Sequence, residues 1–455
     1  MEPVLKVGVA GLGTVGTSVL RLLERRRDEL KAACGRSIEV VAVCARDRNR
    51  DRGVDLSNLV WYDDPVALAR DEDIDVFVEL MGGEDDPADA AVRAALSGGR
   101  AVVTANKALL ARHGTELARL AEANGVALSF EAAVAGGIPV VKTMREALLA
   151  NRIDRVYGIL NGTCNYILTR MERDGLDFEA CLREAQRLGY AEADPTFDID
   201  GFDAAHKLAI LTSLAFGTEI DGEAVYVEGI RTIETADLKA ADELGFRIKL
   251  LGVALRTDEG IECRVHPTMV PKSSAIARID GVLNAVAIDG DALGEIILVG
   301  PGAGGDATAS AVIADLADVA RGFVVPAMGR AAHRLEPYPR ARMRRHAGSY
   351  YIRLSVADRP GAFAAIAGRM AEKGISLQSI VQRRQPAGEN GRHEEGEPLV
   401  QPVFLVTHQT TEEDVREALA AIAADSVIAS EPQVIRIERL DDTTPSARRE
   451  KMNGS

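Results

Sequence analysis

LKVGVAGLGTVG, residues 5–16, runs from a strand pattern through a glycine-rich turn into the start of a helix. Leu5–Ala10 is nearly all apolar, as a strand covered on both faces must be. Gly11, Gly13 and Gly16 then spell GxGxxG. The bare pattern is weak, but its place between a strand and a helix, at the head of a βαβ unit, gives it meaning. Gly11 permits the tight turn, Gly13 lets the backbone approach a pyrophosphate, and Gly16 lets helix and strand pack closely. The helix N-terminus beyond them offers free N–H groups and a partial positive charge. A dinucleotide-binding unit follows.

Outward from this stretch, strand patterns recur at Val40–Ala45, Val76–Leu80, Ala101–Thr104 and Ala127–Phe130, with helical patterns such as Thr14–Glu24 and Thr115–Asn124 between them. The alternation predicts an α/β fold, a Rossmann-like doubly wound parallel sheet over residues 1–134. A second, α+β unit for catalysis and dimerisation is expected over 135–304, with helices Pro139–Ala150 and Phe178–Leu188 and strands Ile261–Val270 and Val282–Ile288. Pro301–Ser310 reads as a loop before the helix Ala311–Ala320, and residues 305–330 are expected to return to the first unit. Residues 335–348, with two prolines and a basic cluster, read as a solvated hinge. Residues 349–440 follow the order strand Tyr350–Val356, helix Ala362–Lys373, strand Ser376–Gln382, strand Val400–Thr407, helix Glu412–Ala424, strand Val434–Ile437. This is the ferredoxin-like βαββαβ order. Gln385–Pro398 reads as an extended hairpin loop, and the polar tail 441–455 as disordered.

The chain has 455 residues and a formal net charge of -15. That balance argues against nucleic acid and anionic membranes, which need a basic face. Five scattered cysteines without a CxxC pair read as reduced thiols. No signal-peptide pattern opens the sequence and no apolar run is long enough for a bilayer span, so a cytoplasmic location is expected.

Three places carry chemistry. After the second strand, where NAD-specific sites tend to hold an acid for the ribose 2′-hydroxyl, the chain has Ala45-Arg46. A guanidinium suits a 2′-phosphate, which favours NADP over NAD; Asp47 is the counter-argument, since it could turn inward and repel that phosphate. Thr104-Ala105-Asn106-Lys107 ends the fourth strand, on the side where such sheets bind ligands. Gly189–Lys207, GYAEADPTFDIDGFDAAHK, gathers Glu192, Asp194, Asp198, Asp200, Asp203 and Lys207. Asp203 and Lys207, at i and i+4, share a helix face. His206 is a second candidate acid or a structural histidine, and a divalent metal among the carboxylates is the remaining alternative.

GYAEADPTFDIDGFDAAHK resembles the signature of homoserine dehydrogenases: a Gly-aromatic pair, Asp-Pro, then Asp198, Ile199, Gly201, Asp203 and Lys207 in D-[LIVM]-x-G-x-D-x-x-x-K. TANK at 104–107, EAAVAGGIP at 131–139, GILNGTCNYIL at 158–168, Lys249-Leu250-Leu251 and PGAGG at 301–305 extend the likeness over roughly residues 4–330. The third unit resembles ACT domains, and its loop Asp358-Arg359-Pro360-Gly361 is similar to their ligand loop, with Asp358 and Gly361 as effector positions. The resemblance implies NAD(P)H-dependent reduction of L-aspartate 4-semialdehyde to L-homoserine, on the way to threonine, methionine and isoleucine, in a homodimer or homotetramer that threonine regulates. It implies Lys207 as proton donor, Lys107 near cofactor and substrate, and Glu192 and Asp203 at the substrate's amino end. It also implies Leu12, Thr14, Val15, Arg46, Gly189 and Gly304 as cofactor contacts beside the three motif glycines. Glu131, Val134, Gly136 and Ile138 match a monovalent-cation site, typically sodium, built largely from backbone carbonyls. Asn161, Gly162 and Thr163 precede a helix, so their N–H groups suit the substrate's α-carboxylate. Lys272-Ser273-Ser274-Ala275 departs from the family's usual run there, which is expected to alter an interface and leave activity intact. Two other readings stay open: an amino-acid sensor that has lost catalysis, and a dehydrogenase for another small hydroxy amino acid.

Overall fold

The structure, a computed structural model, describes residues 4–341, 346–382 and 400–438. Its first sheet has six parallel strands, β1 (Val4–Ala10), β2 (Ser37–Cys44), β3 (Val60–Tyr62), β4 (Val76–Glu79), β5 (Ala101–Thr104) and β6 (Leu128–Ser129), in the order 3-2-1-4-5-6. Val7, Val9, Phe77, Val78, Val102 and Val103 are fully buried, because helices cover both faces. One of these, Gly305–Ala320, comes from far along the chain and packs against the helix Thr14–Arg25. The strand order reverses between β1 and β4, so their carboxyl ends open the crevice in which such sheets bind ligands.

The second sheet is continuous across two units. It contains β7 (Ile153–Ile159), β8 (Tyr226–Val227), β9 (Phe246–Thr257), β10 (Gly260–Pro271), β11 (Leu283–Gly290), β12 (Gly294–Pro301), β13 (Ala347–Ala357), β14 (Leu377–Gln382), β15 (Val400–Thr407), β16 (Thr410–Thr411) and β17 (Gln433–Ile437). Its main path is β12-β11-β7-β9-β10-β17-β13-β15-β14. Every neighbour on that path is antiparallel except β10–β17, where the C-terminal βαββαβ unit joins in parallel through Thr268–Arg436 and Met269–Ile437. The helix Phe202–Phe216, buried along almost its whole length, lies between this sheet and the helix Lys107–Ala123 of the first unit, and so brings the two lysine-bearing helices together.

Four readings of the sequence change. The helix expected over Pro139–Ala150 is a short turn, Val140–Lys142, that widens at Thr143–Ala147, where the Leu148 N–H reaches five residues back to the Thr143 carbonyl. The helix expected from Thr115 begins at Lys107, because Asn106 caps it by accepting the Leu109 N–H. The loop expected over Pro301–Ser310 is already helical from Gly305, after Gly304 turns the chain at a φ of 116°. The hinge expected over 335–348 is pinned at its start. Ile261 N–H donates to Pro339 O at 2.7 Å, Glu219 N–H to Glu336 O at 2.8 Å, and Leu335 and Ala341 are buried. Apolar anchors and free strand edges outweigh the local polarity there. The basic residues Arg342, Arg344 and Arg345, the Gln385–Pro398 loop and the tail 441–455 lie outside the described residues.

Candidate active site

A cavity of about 860 Å³ lies where the crevice of the parallel sheet meets the second unit. Its walls carry Val15 from the glycine-rich turn, Asn106 and Lys107, Asn161–Thr163, Gly189–Glu192 without Ala191, Asp198, Asp203, Lys207, and Gly302–Gly304. Segments separated by nearly 300 residues thus converge on one space.

Its polar centre is Asp203, 5% exposed. One carboxylate oxygen accepts from Lys207 Nζ at 2.6 Å and Asn161 Nδ2 at 2.9 Å; the other lies 3.2 Å from Lys107 Nζ. Burial alone would raise its pKa, but the two ammoniums and the hydrogen bonds outweigh burial and hold the carboxyl well below the usual carboxylate range. Lys207 Nζ also donates to Leu160 O at 2.8 Å. Asn161 caps the helix Gly162–Asp174, taking the Cys164 N–H on its side-chain oxygen, and divides its amide hydrogens between Asp198 and Asp203. Asp198 is pushed up from its ordinary value by burial and by the negative charge of Asp203.

These contacts bear on the expected roles. Asp203, assigned to the substrate's amino end by resemblance, has both oxygens engaged by the chain's own cations and amide. Glu192, exposed at the rim, and Asp198 are the other carboxylates on the cavity wall. His206 is held below its ordinary pKa by burial and by Lys107, and packs edge-on against Phe197. Gly189 and Gly304 line the cavity. Arg46 stands outside it on the surface just past β2, and Asp358 and Gly361 sit on the exposed loop after β13.

The glycine-rich turn fits a bound pyrophosphate. A Cβ on Gly16 would stand 2.0 Å from Gly11 O, and one on Gly11 would stand 2.4 Å from Leu80 O, so both are required by the fold itself. A Cβ on Gly13 would meet nothing within 4 Å. The chain leaves that space open, as a cradle for a ligand must. For a cation at 131–138, Val134 and Gly136 line the cavity. The Glu131 carboxylate faces away and accepts the N–H groups of Val141 and Lys142, both at 2.8 Å. Only backbone carbonyls there are suited to such an ion, and that of Ile138 already accepts from Val140.

Sequence reasoning passed over two buried groups. Glu79, at the end of β4, accepts from Thr104 Oγ1, Met81 N and Gly82 N, and so shapes the loop at the cavity's edge. Asn284, 1% exposed, donates to the same Leu160 carbonyl as Lys207, at 2.9 Å, while its own oxygen has no partner among the described residues. The NAV run that contains Asn284 looks like ordinary strand; a polar residue opening an apolar strand was the available signal.

Comparison with known proteins agrees with this geometry. Residues 139–317 match the family model "Homoserine dehydrogenase", residues 11–131 "Homoserine dehydrogenase, NAD binding domain", and residues 350–424 "ACT domain". A homoserine dehydrogenase of Pseudomonas aeruginosa is 45% identical over 449 residues, 97% of this chain and 100% of that protein. The chain belongs to the homoserine dehydrogenase family. It is an NAD(P)-dependent oxidoreductase with a C-terminal ACT domain. The crystal structure of a homoserine dehydrogenase from Thiobacillus denitrificans, 43% identical, superposes with a TM-score of 0.88 over 96% of this chain and 98% of that one. A hyperthermophilic archaeal homoserine dehydrogenase in complex with NADPH, 27% identical, superposes with a TM-score of 0.61 over 70% of this chain and 99% of its own.

Proposed function

We propose that in this homoserine dehydrogenase Lys207 donates the proton to the aldehyde oxygen of L-aspartate 4-semialdehyde, with Asp203 and Lys107 fixing its position and charge. The observation that carries this is the Lys207–Asp203–Lys107 cluster on the wall of a cavity that also reaches the glycine-rich turn. An ammonium has three N–H groups. Leu160 and Asp203 take two, leaving one for a substrate oxygen. Reduction builds negative charge on that oxygen, which the ammonium stabilises as it supplies the proton. Gly11, Leu12, Gly13, Thr14, Val15, Gly16, Lys107, Gly189 and Gly304 would hold a nicotinamide dinucleotide, whose nicotinamide would supply the hydride. Glu192 and Asp198 suit the substrate's ammonium, and the first amides of the helix at Gly162 and Thr163 suit its α-carboxylate.

The test is oxidation of L-homoserine at alkaline pH, followed at the nicotinamide absorbance with NADP and NAD in parallel, on wild type and Lys207→Ala. Homoserine-dependent reduction that collapses in a folded variant supports the assignment. Near-normal turnover in the variant removes Lys207 from the chemistry, and no turnover in folded wild type would favour the sensor reading.

NADP is the preferred cofactor in this reading, on the strength of Arg46. Sodium at the carbonyls of Glu131, Val134, Gly136 and Ile138 is structural. Threonine acts at the ACT domain through the loop with Asp358 and Gly361; initial rates unchanged across a threonine titration would dismiss this. The strand β12 is an open edge with Val299 about half exposed, which supports assembly into a homodimer or homotetramer. Five free cysteines and the absence of any helix long and apolar enough to cross a membrane, among the described residues, fit the cytoplasm.

A further inference from the structure

The loop that leaves β2 carries Arg46, Asp47, Arg48, Arg50, Asp51, Arg52 and Asp55. Its opposite charges do not pair. Asp47, Asp51 and Asp55 each turn a carboxylate oxygen onto the N–H two residues ahead, Asn49, Gly53 and Ser57, all at 2.9 Å. These are local turns that short acidic side chains form with their own backbone. None of the four arginines makes an ion pair with a carboxylate among the described residues. Arg52, half-buried, instead donates to three neutral carbonyls: Leu12 at 3.3 Å, Arg50 at 2.8 Å and Asp47 at 2.5 Å. Its first bond ties the loop to the glycine-rich turn. Two of its five N–H groups remain over, and its charge is uncompensated.

Trp61, on the edge strand β3, fixes the direction of this charge. The guanidinium carbons of Arg48 and Arg52 lie 5.9 and 5.7 Å from its ring centroid, within the range of a cation–π contact. The indole thus holds two cations beside the carboxyl end of β2, next to the turn that cradles the pyrophosphate. Two guanidiniums at that place, without carboxylate partners among the described residues, are suited to receive an anion. Planar guanidiniums suit a phosphate monoester, with its roughly two negative charges, better than a hydroxyl.

We infer that Arg48 and Arg52, held on Trp61, form the receptor for the 2′-phosphate of the cofactor's adenosine, together with Arg46. This rests on the reading that NADP is preferred, and names further residues that create the preference. It also answers the concern over Asp47, whose carboxylate is engaged by its own loop.

The test uses the full chain and two probes that differ only by the phosphate, adenosine 2′,5′-bisphosphate and 5′-AMP, titrated by calorimetry against wild type, Arg46→Ala, Arg48→Ala and Arg52→Met. Wild type is expected to prefer the bisphosphate by roughly 10- to 100-fold, the worth of one charged hydrogen-bonding partner or more. Arg48→Ala and Arg52→Met should each reduce that ratio several-fold while 5′-AMP affinity holds. If Arg52→Met weakens both probes alike, Arg52 only braces the turn and its assignment falls; Arg48→Ala, which breaks no backbone contact, then decides for the stacked pair. If neither variant moves the ratio while Arg46→Ala abolishes it, the inference fails and the NADP reading stands. A wild-type ratio near one overturns both.

Discussion

Replacing Gly13 by alanine separates what the fold needs from what the cofactor needs. Gly13 has φ -80° and ψ -158°, backbone that alanine adopts freely, and its Cβ would meet nothing within 4 Å. The folded apo chain therefore has no new clash. Alanine is a slightly poorer N-cap than glycine, and it lowers the entropy of the unfolded chain; the two effects oppose and leave about 0.5 kcal/mol or less. Thermal unfolding without cofactor should move by no more than about 2 °C. The bound state is different. A methyl group in the cradle keeps a pyrophosphate from the backbone amides, and losing two charge-assisted hydrogen bonds at about 1.5–3 kcal/mol each weakens binding roughly 10²- to 10⁴-fold. Gly16→Ala is the contrast. Its Cβ, 2.0 Å from Gly11 O, forces helix and strand apart and costs about 3 kcal/mol before any ligand arrives. Titration of nicotinamide fluorescence with NADPH, beside thermal denaturation of apo protein, reads both quantities. The reasoning is refuted if Gly13→Ala unfolds as early as Gly16→Ala, or if it keeps NADPH affinity within threefold of wild type.

Other outcomes follow from buried groups. Asn284→Leu removes an amide whose oxygen has no partner among the described residues, so apo stability should change by about 1 kcal/mol or less, while turnover drops roughly tenfold because Lys207 loses its neighbour on the Leu160 carbonyl; an unchanged kcat would show that Lys207 is positioned without it. Glu131 is raised from 4.5 to about 7 by burial, with Asp315 adding to the shift, so the folded chain holds the extra proton between those values and this contribution to stability is lost as pH rises through them. Glu131→Gln should flatten that part of the melting-temperature profile, by up to about 3 kcal/mol across the window, and a profile of identical slope would refute the assignment. Asp237, fully buried, accepts from Tyr351 Oη at 2.9 Å and Arg353 Nε at 2.8 Å across the junction with the ACT domain. Asp237→Asn should cost about 3 kcal/mol in calorimetric stability, and a loss under about 1 kcal/mol would mean the junction holds without this charge.

The sequence made legible what local chemistry dictates. The apolar run before Gly11 had to be a doubly covered strand, and the i, i+4 spacing of Asp203 and Lys207 had to put them on one face; both are so in the structure. What depends on distant partners was not legible. The polarity of 335–348 suggested a hinge, but Ile261 and Glu219, far upstream, supply the backbone partners that pin its first half. The spacing showed that Asp203 shares a face with Lys207, but not that Lys107 and Asn161, 96 and 42 residues away, also reach its carboxylate. Asp47 could have turned inward to repel a 2′-phosphate, and only the loop's conformation shows that its carboxylate accepts the Asn49 N–H instead.

The pinned hinge changes how the ACT domain can act on the site. A unit on a solvated tether could swing as a body, but this one continues the catalytic sheet through β10–β17. Arg436, 3% exposed, is held between Glu412 of the ACT domain and Glu228 of the catalytic unit, and Arg264 between Glu262 and Glu438. Rotation of the whole domain would strand several buried charges, at several kcal/mol each. Smaller motions have a short path instead. A second cavity, of about 750 Å³, lies between the ACT helix Glu412–Ala424 and the segment Glu228–Thr232, and Asp200 is on its wall. Arg231 donates to Asp200 at 2.5 Å, and Asp200 lies between Asp198 and Asp203 in one short stretch. The 228–232 segment thus borders the ACT helix on one side and is joined to the 196–200 stretch on the other, by Arg231 to Asp200 and Thr196 and by Ile230 N–H to Ile199 O at 2.9 Å.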